Sequence, residues 1–115
     1  VIDCAGPGKC DGQDLICPPD YDCQVNCNGV DACDTGSVTC PNKYSCTLIC
    51  DGGNDACGDL DLTCGSGSCN IECNEIGACT GTSVQCGAGV CKAQCTDKPV
   101  PEMLDCDKAC KCQTC

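Results

Sequence analysis

Cysteine recurs along this chain at an almost fixed interval, and that interval constrains the fold more than any other feature. Cys4, Cys27, Cys50, Cys73 and Cys95 are 23, 23, 23 and 22 residues apart. Cys10, Cys33, Cys57 and Cys79 form a second column, Cys17, Cys40, Cys64 and Cys86 a third, and Cys23, Cys46, Cys69 and Cys91 a fourth. These columns hold 17 of the 21 cysteines in 115 residues; Cys106, Cys110, Cys112 and Cys115 form a tail cluster outside the register. Self-similarity at a fixed period of this length marks an architecture in which each unit buries its apolar face against the next.

The residues between the columns say what each unit is. Leu15-Ile16-Cys17, Val38-Thr39-Cys40, Leu62-Thr63-Cys64 and Val84-Gln85-Cys86 are strand-like, as are Cys23–Cys27, Cys46–Cys50, Cys69–Cys73 and Cys91–Cys95. Both sets alternate with period two, so cysteine and one aliphatic point one way while mostly polar side chains point the other. Asn28-Gly29 and Asp51-Gly52 mark one corner, and Pro18-Pro19, Pro41, Gly65, Gly67, Gly87 and Gly89 a second. Short strands separated by corners at this period read as coils of a parallel β-solenoid, with strands stacked about 4.8 Å apart.

The expected fold class is therefore all-β: a disulfide-rich, right-handed parallel β-helix of about four and a half coils, its hand following the general rule for parallel crossovers. Val25, Leu48, Ile71 and Ala93 should form one interior ladder, with Ile2 beginning it, and Leu15, Val38, Leu62 and Val84 another. Tyr21 and Tyr44 share a position and should stack; Asn28, Asp51 and Asn74 should line one corner. Residues 1–95 are assigned to the repeats, with Val1-Ile2-Asp3-Cys4 entering mid-coil as a processed N-terminus would. Residues 96–115 are read as an irregular excursion (Thr96–Leu104) and a disulfide-knotted C-terminal cap, since Pro99 and Pro101 cannot donate to a ladder.

The best-kept repeat, Cys27-Asn-Gly-Val-Asp-Ala-Cys33 running through to Cys50, resembles a family of cysteine-rich right-handed β-helix repeats in secreted proteins of algae and other protists. Cys73-Asn-Glu-Ile-Gly-Ala-Cys79 is close to the same pattern, and Cys50–Cys57 carries one insertion. The resemblance covers residues 1–95 and speaks to architecture; insect antifreeze β-helices are similar in style, with shorter coils. The implied setting is extracellular.

Composition agrees on the setting and removes several functions. Large aliphatics are few and Phe, Trp and His are absent. Disulfides must replace part of the core, and they persist where the surroundings are oxidising, so the chain is expected to be secreted or at a cell surface. A formal charge of −11 with two aromatics excludes a nucleic-acid binder, which needs cationic and stacking groups. No run reaches the ~20 apolar residues of a membrane-inserted helix. Without His there is no Ser–His triad, no other catalytic constellation is legible, and no enzyme activity or cofactor is expected.

Four chemistries are open to such a chain. As metal ligands the cysteines lack the tight paired spacing of zinc sites outside Cys110-Lys-Cys112 and Cys112-Gln-Thr-Cys115, so disulfides are the simpler reading. Four cysteines per coil permit three connectivities. An odd total leaves one thiol free or bridged to another chain, with Cys4 or a tail cysteine as the candidate. Asp31 and Asp55 share a column, as do Asp11 and Asp34; stacked carboxylates repel, and Ca²⁺ bound there would relieve them, although a solvated acidic face needs no ion. Ile16, Thr39, Thr63 and Gln85 are not the threonine array that ice binding requires.

The leading functional expectation is an extracellular structural protein, a self-assembling subunit of a filament or surface coat whose partners are other copies of itself, end to end. The alternative is a monomeric secreted binding module whose acidic face takes Ca²⁺, a glycan or a basic partner. A further alternative is a disulfide-armoured defence or inhibitor protein using Thr96–Leu104 as its recognition loop.

Overall fold

The computed structural model describes residues 1–96 and 100–114, and it is a parallel β-solenoid of about five turns. Sheet A is built from β1 (Ile2–Ala5), β3 (Cys23–Asn28), β5 (Cys46–Asp51), β7 (Cys69–Cys73), β9 (Val90–Cys95) and β11 (Lys111–Gln113), in that spatial order. Sheet B stacks β2 (Asp14–Ile16), β4 (Ser37–Thr39), β6 (Asp61–Thr63), β8 (Ser83–Gln85) and β10 (Glu102–Leu104). Every pairing is parallel and in the register of the repeat: Cys23 faces Cys46, Cys46 faces Cys69, and Ile2 faces Val25.

A third wall lies between the sheets along the chain and is built of turns. Its residues hydrogen-bond from coil to coil through their backbones, for instance Gly12 N–H to Asp34 C=O and Thr35 N–H to Gly58 C=O. The wall winds through positive φ at fixed columns: Gly8, Asp31, Asp55 and Gly77 in one, Gly12, Thr35, Asp59 and Gly81 in another. Gly adopts that conformation without strain, and Asp is among the few other residues that do so readily.

The interior is a set of single-file columns. Val25, Leu48, Ile71 and Ala93 are buried under sheet A and Val38, Leu62 and Val84 under sheet B, as the alternation predicts. A third column, Ala32, Ala56 and Ala78, is contributed by the turn wall and is equally buried. The second-column cysteines that follow them in the chain, Cys33, Cys57 and Cys79, are buried as well.

The disulfides settle the connectivity. Cys4–Cys10, Cys27–Cys33, Cys50–Cys57 and Cys73–Cys79 close the corner between sheet A and the turn wall. Cys17–Cys23, Cys40–Cys46, Cys64–Cys69 and Cys86–Cys91 close the corner between sheet B and sheet A. First column joins second and third joins fourth, always within one coil. Each bridge closes a short loop, so its chain-entropy contribution falls at the low end of the disulfide range, about 2 kcal/mol.

The chain past residue 95 departs from the expected irregular cap. β10 lies beside β8, with Met103 opposite Val84, and β11 lies beside β9, with Cys112 opposite Cys91. Cys106–Cys112 is another staple of the sheet B to sheet A corner. Two cysteines assigned to a cluster outside the register thus belong to a fifth coil. That coil is shortened: 11 residues separate Cys95 from Cys106, where 13 or 14 separate the corresponding cysteines elsewhere. Asp105, which follows the last paired residue Leu104, is in left-handed conformation and stands between β10 and Cys106. The proposed recognition loop Thr96–Leu104 falls partly outside the described residues, and its last three residues are strand β10.

Candidate functional site

The acids singled out by sequence come together on the turn wall. Asp11 and Asp34 are stacked one coil apart, and Asp31 and Asp55 occupy the left-handed column beside them. Asp59, which the sequence pattern did not single out, completes the group from the Thr35 column. Partial burial, and then the charges of Asp11, Asp31, Asp55 and Asp59, hold the Asp34 carboxyl above the ordinary carboxylate range. Thr35 relieves a little of this by donating its hydroxyl to Asp11 Oδ1 at 3.2 Å.

The local reason for these aspartates is partly conformational. Asp31, Asp55 and Asp59 sit at columns filled in other coils by Gly8, Gly77, Gly12 and Gly81, so the backbone selects them for positive φ. Their carboxylates share a wall without converging on one point. Among the described residues, the only groups of three ligand atoms within 4.8 Å of one another are sulfurs: Cys40, Cys64 and Cys69, and Cys86, Cys106 and Cys112. These sulfurs are already spent in bridges. Cys40 Sγ and Cys69 Sγ, from staples of successive coils, are 3.9 Å apart, so the corner carries a column of stacked disulfides.

Among the described residues the unpaired thiol is Cys110, free and exposed in the tail. Cys4, the other candidate, is bridged to Cys10 and fully buried. Cys95 is also disulfide-bonded, and Cys115 lies outside the described residues.

Tyr21 and Tyr44 lie at the opposite corner, two residues before Cys23 and Cys46, one coil apart and both exposed. Below them, sheet B presents Asp14, Ser37, Asp61, Ser83 and Glu102 as one outward column and Ile16, Thr39, Thr63, Gln85 and Leu104 as another. The first is an acid–hydroxyl alternation that a coil-by-coil alignment of the sequence contains.

No protein-family model, curated protein or solved structure matches the chain. No helix of the structure is long and apolar enough to cross a membrane. The density of disulfides fits an oxidising compartment.

Proposed function

We propose that the chain is an extracellular structural protein, a covalently stapled block that stacks on copies of itself into a filament or coat. The observation that carries this reading is the repetition of one stapled coil with unbroken interior columns. One column runs Ile2, Val25, Leu48, Ile71, Ala93 and the other Leu15, Val38, Leu62, Val84, Met103. Ile2, Leu15 and Met103, at the ends of these columns, are only partly buried. A coil supplied by a second copy would meet the same column and continue it. Such a contact is heterologous and does not close, which is how filaments grow.

Sedimentation velocity across a concentration series, with electron microscopy of the same samples, tests this. Growing oligomers and short rods are expected. A single 11.7 kDa species up to millimolar concentration would refute it.

The acidic wall favours a second reading, a binding module for a cation or a basic partner, because a bound positive charge would relieve the crowding around Asp34. Calorimetry with Ca²⁺ should show saturable heat that Asp34→Asn reduces; no heat and no thermal shift would remove the cation version.

A further inference from the structure

Tyr21 and Tyr44 are the only aromatic residues of the chain. Tyr21 is 70% exposed and Tyr44 44%. A buried ring would be a large apolar contribution in a chain so poor in big side chains. Both rings are instead in water, on successive coils of the same corner, and stability does not account for that.

The corner around them is stepped. In the first two coils five residues lie between the bridged cysteines, 18–22 and 41–45; in the next two only four do, 65–68 and 87–90. The tyrosine column continues as Gly67 and Gly89, since Ser45 and Ser68 hold equivalent places before the fourth-column cysteine. A Cβ on Gly67 would lie 2.4 Å from the Tyr44 carbonyl oxygen, and one on Gly65 2.1 Å from that of Pro41. The third coil is therefore pressed against the second backbone to backbone, and its glycine places no side chain over Tyr44. On the other side of Tyr44, between the first and second coils, the corner opens as a groove of about 360 Å³ lined by Pro19, Asp20, Asn42, Lys43 and Tyr44.

The lining fits a sugar. One face of a pyranose ring is a patch of C–H groups, which pack on the negative face of an aromatic ring. Its rim is hydroxyls, each both donor and acceptor. Asp20 accepts, Lys43 donates and the Asn42 amide does both. Asp20 and Lys43 also set opposite charges in one groove, so neither sign dominates its lining. From these observations we infer that the corner is a docking groove for a neutral polysaccharide, with a pyranose stacked on Tyr44 and its hydroxyls held by Asp20, Asn42 and Lys43. The groove needs an accessible corner and no assembly, so binding and sedimentation report on separate claims.

The test is calorimetry of the full chain with cellohexaose, chitohexaose and mannohexaose. At least one should bind saturably. Tyr44→Ala should weaken it about tenfold, the scale of a lost aromatic stacking contact, while Tyr44→Phe, which keeps the ring face, should stay within about threefold. Affinity should be unmoved between about 0.1 and 0.5 M NaCl, because a neutral ligand has no charge to screen. Failure of all three sugars to bind at millimolar concentration overturns the inference. So does a Tyr44→Ala variant that binds as the parent does, or an affinity that collapses with salt, which would assign the groove to a charged partner.

Discussion

Ser37 Oγ donates a 2.8 Å hydrogen bond to Asp14 Oδ1, the side chain in the same place one coil away. Ser83 repeats the arrangement on Asp61. Along this column of sheet B, acid and hydroxyl alternate, so each carboxylate faces a donor instead of another charge. Ser37→Ala should cost about 0.5–1 kcal/mol, the net worth of one hydrogen bond. Ser37→Asp should cost more, because it sets three carboxylates in succession. Thermal unfolding of the two variants should rank them in that order; equal midpoints would show that the alternation contributes nothing.

The turn wall lacks that alternation at Asp11 and Asp34, and its pH dependence should differ in sign from that of an ion-paired acid. The folded state holds the Asp34 proton more tightly than the unfolded chain does. Its contribution to stability is therefore present in acid and lost as pH rises from the ordinary value of 3.8 through the raised one. Asp34→Asn should stabilise the protein at pH 7 by less than about 1 kcal/mol, the scale of a solvated charge interaction. The gain should vanish below pH 3.8. A substitution that is neutral at pH 7, or equally stabilising at both pH values, would contradict the assignment.

Core and staple can be compared within one coil. Leu48 is fully buried between Val25 and Ile71, and Leu48→Ala should cost about 2–5 kcal/mol through lost burial and a cavity. Removing the Cys27–Cys33 bridge with a double alanine substitution should cost about 2 kcal/mol, because the loop it closes is short. Denaturant unfolding of both variants should place the core variant at or below the staple variant. The reverse order would mean that the bridges act on the folded state through packing more than on the unfolded chain.

Cys110 is free and exposed. Maleimide applied without reductant should label Cys110 and none of the nine described pairs, as read by peptide mapping, and Cys110→Ser should abolish that label. Label on any bridged cysteine would overturn the connectivity.

Much of this fold was legible in the sequence because the spacing of cysteine fixed the coil and period-two alternation fixed which side chains turn inward. Connectivity was not, since four cysteines around one coil allow three pairings and only the path of the turns chooses. In the structure each described bridge joins cysteines 5–7 residues apart in sequence, whose Cα atoms lie 5.4–5.9 Å apart. The fifth coil was hidden for a different reason. It lacks a second-column cysteine and runs short between Cys95 and Cys106, so a search by fixed period passes over Met103 and Cys112, although both sit in register. Asp59 was missed at the candidate site because its company is set by a backbone conformation shared with Thr35, Gly12 and Gly81, which residue identity does not disclose.

Every described bridge spans only 5–7 residues. None of these described bridges ties distant parts of the sequence together, and none requires one segment to be threaded before another is sealed. From Cys4 to Cys91 each corner can therefore oxidise as soon as it has been synthesised, the proper partner of its second cysteine being the preceding cysteine in the chain. A whole coil can be duplicated or deleted by a single in-frame event without orphaning a cysteine, so this design can change its length over evolution, or at a bench, by simple arithmetic in units of one winding.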